Sequence, residues 1–196
     1  MNKIETIKQH IQESVQTKEL ILSNDKMLND IHSAAQMLID AYKKGNKTLL
    51  AGNGGSAADA QHIAGEFVSR FYFDRPGIPS IALTTDTSIL TAIGNDYGFE
   101  RLFARQVEAQ GVAGDVFIGI STSGNSKNII TALQACKAKG IKTIGLTGKK
   151  ECAMDTLCDI VLKVPSSNTP CIQESHIMIG HILCRLVEEA LFEPKK

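Results

Sequence analysis

Two residues of the stretch "DAQHIAGEF" have the chemistry of a reactive site. His62 and Glu66 stand four apart in a segment of helical character, and residues at i and i+4 share one helix face. A neutral imidazole and a carboxylate so placed suit zinc. They suit an ordinary i, i+4 contact worth a few tenths of a kcal/mol equally well, and spacing alone leaves both readings open. A second candidate stretch, "IQESHIMIGHI", offers Gln173, Glu174, His176 and His181. His181 lies between Gly180 and Ile182, close to an apolar stripe, where a lone histidine is more often a satisfied core residue. Helical angles do not choose among the four. Gln173 and His181 are about 80° apart at 3.6 residues per turn, and Glu174 is better aligned with His181.

Two Gly- and Ser-rich loops could hold an anion. "STSGNS" supplies the hydroxyls of Ser121, Thr122, Ser123 and Ser126, with Gly124 for a tight turn. The helix that follows adds free N–H groups and the positive end of its dipole, which together make a phosphate site needing no lysine. A polar loop with a Ser N-cap would account for one of these hydroxyls, not four. Earlier, in "GNGGSAAD", Gly54 and Gly55 permit close backbone approach and Ser56 can cap the next helix. The pattern is neither GxGxxG nor GxxxxGK[ST], so neither a dinucleotide nor a nucleoside triphosphate is indicated. In "TAIGNDYGFE", Asn95 and Asp96 read as a polar turn that could also present groups to a sugar.

The elements that must position these residues follow from hydrophobic periodicity. Ile4, Ile7, Ile11 and Val15 recur at helical spacing, and so do Met27, Ile31, Ala34, Ala35, Leu38, Ile39 and Tyr42. "SND" offers N-cap residues to the second helix and "KKGNK" ends it. Neither helix has a strand of its own to cover, so both are expected to pack against another subunit. Five short apolar runs follow: "KTLLAG", "IPSIALT", "DVFIGIS", "KTIGLTG" and "DIVLKVP". Helical patterns lie between them, which implies βαβ units, a parallel sheet and right-handed crossovers. The last helix is expected from near Ile172 to about Leu191. The fold expected is a three-layer αβα arrangement in one domain over 1–196, with a helical extension over 1–45 and an α/β core over 46–196. Ligands of such sheets bind beyond the carboxyl ends of the strands, which points to the loops after "TLLAG" and "VFIGI".

Composition narrows the function. The 196 residues carry 21 Lys and Arg against 21 Asp and Glu, with no dense basic run. The tail "EPKK" is too short to count, and no nucleic-acid partner is expected. The five cysteines, Cys136, Cys152, Cys158, Cys171 and Cys184, form no CxxC and read as reduced thiols. Cys152 and Cys158 are weak alternative metal ligands. The amphipathic N-terminus is no signal peptide and no apolar run spans a membrane, so a cytoplasmic protein is expected.

Taken in order, "GNGGSAADAQHIAGEF", "AIGNDYGFE", "GISTSGNSKNI" and "IQESHIMIGHIL" resemble the bacterial phosphoheptose isomerases of the sugar isomerase (SIS) domain superfamily, over nearly the whole chain. "STSGNS" alone is superfamily-level; its combination with "QHxxxE" and "QExHxxxxH" is more specific. The resemblance implies a homotetramer built through the N-terminal helices. It implies interconversion of sedoheptulose 7-phosphate and D-glycero-D-manno-heptose 7-phosphate, a step towards nucleotide-activated heptose for lipopolysaccharide core or capsule. Carried over by motif, one zinc per subunit would sit on His62, Glu66, Gln173 and His181. The substrate would touch Asn53, Gly54, Gly55, Ser56, Asn95, Asp96, Ser121, Thr122, Ser123, Ser126 and Gln173. Glu66 would be the base and His181 the acid. Gln173 is preferred to Glu174 by the resemblance, not by helical geometry. One departure is Cys171, where the family often has Arg before "IQE".

The strongest rival of another class is a non-catalytic SIS protein that associates with the bacterial replication initiator. In that group the positions of Glu66 and His181 do not hold the acid–base pair, whereas this chain keeps both. Isomerases of other sugar phosphates would share the hydroxyl loop without the zinc tetrad.

Overall fold

The computed structural model describes residues 2–192; the "EPKK" tail lies outside the described residues. Two long helices, α1 (Lys3–Leu22) and α2 (Asp25–Lys43), lead into strand β1 (Thr48–Gly52). There follow α3 (Gly55–Val68), β2 (Ser80–Ala82), α4 (Thr87–Tyr97), a 3-10 turn at Phe99–Arg101 and α5 (Leu102–Gln110). The chain ends with β3 (Val116–Ile120), α6 (Lys127–Lys139), β4 (Lys142–Thr147), α7 (Met154–Leu157), β5 (Ile160–Lys163) and α8 (Thr169–Phe192). All five expected strands form, in one parallel sheet of order β2-β1-β3-β4-β5. α8 starts a turn earlier than the periodicity suggested, at Thr169.

Helices cover both faces, which explains why β1 and β3 are buried throughout instead of alternating. Successive strand side chains point to opposite faces. Leu50, Val116, Ile118 and Ile120 therefore join the core beneath α2, α3 and α8. Leu49, Ala51 and Phe117 join the core beneath α5 and α6.

The two N-terminal helices differ from what their patterns suggested. α2 is capped by Asn24, whose side chain accepts from the Met27 N–H. Its stripe of Met27, Ile31, Ala34, Ala35, Leu38 and Ile39 is buried in this chain's own core, against α8 and beside β5. The expectation that this face waits for another subunit is therefore wrong for α2: strands from elsewhere in the chain supply the surface it covers. On α1 the row does remain outside. Ile4, Ile7 and Ile11 are each more than half exposed.

Candidate active site

Strand order places two loops side by side. β1 and β3 are neighbours, with Gly52 in register with Ile120, and their crossovers lead to helices on opposite faces of the sheet. This is the switch point of an open parallel sheet, beyond whose carboxyl ends ligands bind. The two loops are stitched together by a reciprocal amide pair. Asn53 Nδ2 donates to Asn128 Oδ1 at 2.9 Å, and Asn128 Nδ2 donates back to Asn53 Oδ1 at 2.8 Å.

The loop after β3 folds inward on its hydroxyls. Ser121 Oγ lies 2.8 Å from Ser126 Oγ and 3.3 Å from Ser123 Oγ. Ser126 is the N-cap residue of α6, yet its side chain makes no capping bond. With its hydroxyl turned to Ser121, first-turn N–H groups of α6 keep no side-chain partner, as an anion site requires. Gly124 turns the loop at φ +64°, and a Cβ there would lie 2.1 Å from Cys152 Sγ. A cavity of about 340 Å³ opens beside it, lined by Thr122, Ser123, Asn125, Lys149, Lys150 and Ile172, among others.

The loop after β1 starts α3 without a side-chain cap. Gly54 is the N-cap residue, at φ +56°. Ser56 does not cap, contrary to expectation: it is already inside the helix and buried, with its backbone pressed against Gly52. Two turns on, α3 presents His62 and Glu66, whose Nε2 and Oε1 are 3.1 Å apart. α8 brings in His181, whose Nε2 is 3.3 Å from His62 Nε2. Gly180 makes this meeting possible, since a Cβ there would stand 2.6 Å from Ile63 Cδ1 of α3. The Phe71 ring closes one side, 5.5 Å from the His181 ring between centroids.

The three donor atoms fit a metal ion. They all lie within 4.8 Å of one another. Ligands about 2.0–2.2 Å from a tetrahedral zinc stand roughly 3.3–3.5 Å apart, close to the 3.1 and 3.3 Å found here. Two imidazoles and one carboxylate can hold such an ion. Among the described residues, Cys152 and Cys158 join no such group, and burial pushes the Cys158 thiol up to about 12.

A profile of the SIS domain matches residues 3–148. The phosphoheptose isomerase of Aneurinibacillus thermoaerophilus is 67% identical over 189 residues, 96% of each chain. Phosphoheptose isomerase 2 of Campylobacter jejuni is 70% identical over 186 residues, 95% of this chain and 92% of its own. The solved phosphoheptose isomerase of Francisella tularensis superposes with a TM-score of 0.93 at 36% identity, over 96% of this chain and all of its own.

This chain belongs to the phosphoheptose isomerase family of SIS-domain proteins. A phosphoheptose isomerase is a phosphosugar isomerase, so the hydroxyl loop and the histidine–carboxylate cluster are the features to weigh as its site. The structure separates the candidates on α8. His176, not His181, is the core histidine: it is fully buried, with Nε2 3.2 Å from the Thr147 carbonyl, and burial pushes it down to about 4. Glu174 is occupied by α1, where Ser14 donates to it and Lys18 Nζ lies 3.3 Å away. Those contacts hold its carboxyl below the usual range. Gln173 instead faces α3, its Nε2 2.7 Å from where a Cβ on Gly55 would sit. Asn95 and Asp96 are not in a turn. They form the exposed end of α4, with Asn95 Nδ2 donating to Asp96 Oδ1 at 2.8 Å.

Four residues beside these features were missed. Asn128 carries no sequence signal; only the register of β1 with β3 pairs it with Asn53. Lys149 and Lys150 follow β4, where the strand-end rule would have found them, so the loop's surroundings are not free of lysine. Asp59 stands one turn before His62 on α3, in the same helical register as His62 and Glu66. Its Oδ2 is buried without a partner, and burial raises its pKa against the opposing pull of His62.

Proposed function

We propose that this phosphoheptose isomerase interconverts sedoheptulose 7-phosphate and D-glycero-D-manno-heptose 7-phosphate through an enediol(ate). The observation that carries the reading is the convergence of His62, Glu66 and His181 on the helix that begins beside the hydroxyl loop. From Gly55 to His62 is roughly 10 Å along α3 at 1.5 Å per residue. That separation suits a substrate whose phosphate and reacting carbons lie at opposite ends. Ser121, Thr122, Ser123 and Ser126 hold the phosphate together with the α6 N-terminus. Asn53, Gly54, Gly55, Ser56 and Gln173 border the sugar chain, and Asn95 and Asp96 are further proposed contacts. Anchoring the remote phosphate orients C1 and C2, so binding there assists the chemistry.

Glu66 removes a proton from one of these carbons and returns it to the other, and His181 moves the proton between the two oxygens. Zinc, held by His62, Glu66, His181 and Gln173, would supply a Lewis acid that polarises the carbonyl. The donor set and spacing of the first three residues support that ion. The product would feed synthesis of nucleotide-activated heptose for lipopolysaccharide core or capsule, in the cytoplasm. A homotetramer assembled through the N-terminal helices is supported by the exposed Ile4, Ile7 and Ile11 of α1. No helix among the described residues is long and apolar enough to cross a membrane.

The test is NMR of the purified protein with sedoheptulose 7-phosphate in D₂O, alongside Glu66→Gln and His181→Ala and with a chelator. Aldose should appear with deuterium at the exchanged carbon, and it should fail to appear in both variants. Chelation should stop turnover and added zinc should restore it. Turnover that survives both substitutions would move the acid–base assignment elsewhere.

A further inference from the structure

The helices that carry the cluster are joined a second time, below it. Arg75 and Glu188 form an ion pair whose side chains are 2% and 0% exposed. Glu188 lies on α8, two turns beyond His181. One of its oxygens accepts from the Phe71 N–H at 2.8 Å and from Arg75 Nε at 3.0 Å; the other accepts from the Tyr72 N–H at 2.7 Å. The rest of the Arg75 fork turns to α3. Nη2 donates to the carbonyl of Glu66 at 2.8 Å, and Nη1 donates to the carbonyl of Phe67 at 2.6 Å. These are last-turn carbonyls of α3, which have no partner within the helix.

A single buried pair therefore caps α3 at Glu66 and fastens α8 to the segment bearing Phe71, the ring that packs on His181. For stability alone such a pair is a poor choice, since apolar residues of similar volume often serve as well. Its polar fork gives direction instead. We propose that Arg75 and Glu188 are positioning residues that fix α3 against α8, so that His62, Glu66 and His181 converge tightly enough to bind a divalent cation and react. The proposal rests on the reading of that cluster as the metal and acid–base site.

Arg75→Lys keeps a charge beside Glu188 but loses the fork that reaches both carbonyls. Glu188→Gln keeps shape but loses charge and one acceptor. Each variant is compared with the unaltered protein well below the lowest thermal midpoint, by Co²⁺ titration followed in the visible spectrum. The ring signals of His62 and His181 in metal-free NMR spectra give a second readout, and kcat and KM a third. Co²⁺ affinity should fall ten- to a hundredfold, as when outer partners of metal ligands are removed. The ring signals should move. kcat should fall while KM changes less than twofold, because the hydroxyl loop is untouched. A variant with a lower thermal midpoint but unchanged Co²⁺ affinity, ring signals and kcat overturns the proposal and leaves the pair a purely structural one. If Arg75→Lys does not fold, Glu188→Gln and the apolar double variant Arg75→Met/Glu188→Met decide in its place. If the unaltered protein neither binds Co²⁺ nor turns over heptose phosphate, the functional reading fails by itself. The ring signals then still decide: moved in the variants, they support positioning; unmoved, they overturn it.

Discussion

His176 should make this protein acid-labile, beginning at a pH above the ordinary carboxylate range. Its ring is fully buried, Nε2 is held by the Thr147 carbonyl at 3.2 Å, and Nδ1 has no hydrogen-bond partner. Burial lowers its pKa from 6.5 to about 4. In the unfolded chain the ring takes up a proton near pH 6.5; in the folded chain it resists protonation down to about 4. Its contribution is therefore complete above pH 6.5 and is lost as pH falls towards 4. The whole shift corresponds to roughly 3 kcal/mol at 1.36 kcal/mol per unit, of which about 2 kcal/mol is lost by pH 5. The perturbation is His176→Leu, which removes the titration and leaves the Thr147 carbonyl bonded to the Val164 N–H at 2.9 Å. Urea unfolding of both proteins between pH 7.5 and 5.0, at one protein concentration, gives the assay. The two proteins differ in no other ionisable group, so the difference isolates His176. The unaltered protein should lose about 2 kcal/mol more than the variant. Parallel curves for the two proteins would refute the reasoning.

Gly180→Ala should force α3 and α8 apart at Ile63, with activity and Co²⁺ affinity falling at least tenfold while helix propensity offsets part of the ~1–3 kcal/mol overpacking penalty; Ile63→Val should recover part of both. Gly124→Ala meets both a left-handed φ and the Cys152 side chain, so steady-state kinetics should show KM for the phosphosugar rising at least tenfold, more than kcat falls. Glu174→Ala should lower the unfolding free energy from urea titration by less than about 1 kcal/mol, because its contacts with Lys18 and His10 are well exposed. Charged residues at Ile4, Ile7 and Ile11 together should reduce the sedimentation coefficient without changing the far-UV spectrum.

The fold was legible where periodicity was pure. The five strands stand where short apolar runs end in glycine or polar residues, and the hydroxyl loop was placed by residue type alone. α2 misled because a pattern shows that a face is apolar and not what covers it; the cover came from β5 and α8, more than a hundred residues away. α8 misled in another way. Both faces of that helix are occupied, so a histidine in its apolar stripe and one at the site look alike in sequence. Only the crossing at Gly180 separates His176 from His181. Helical angles could not separate Gln173 from Glu174, because the contacts of Glu174 with α1 are not written in the pattern of α8. Asn128 and the Arg75–Glu188 pair were invisible because their partners are set by strand order and chain reversal.

The sheet order also bears on how the working protein comes into being. Its central pairing joins β1 to β3, strands separated by α3, β2, α4 and α5, and the cluster is finished by α8, the last helix described. Parallel pairings of distant segments form slowly because the loop must close before any contact rewards it. The complete site cannot be built from a single local segment. In a refolding experiment, recovery of turnover should therefore trail recovery of helical signal and coincide with the final docking of α8 onto α3.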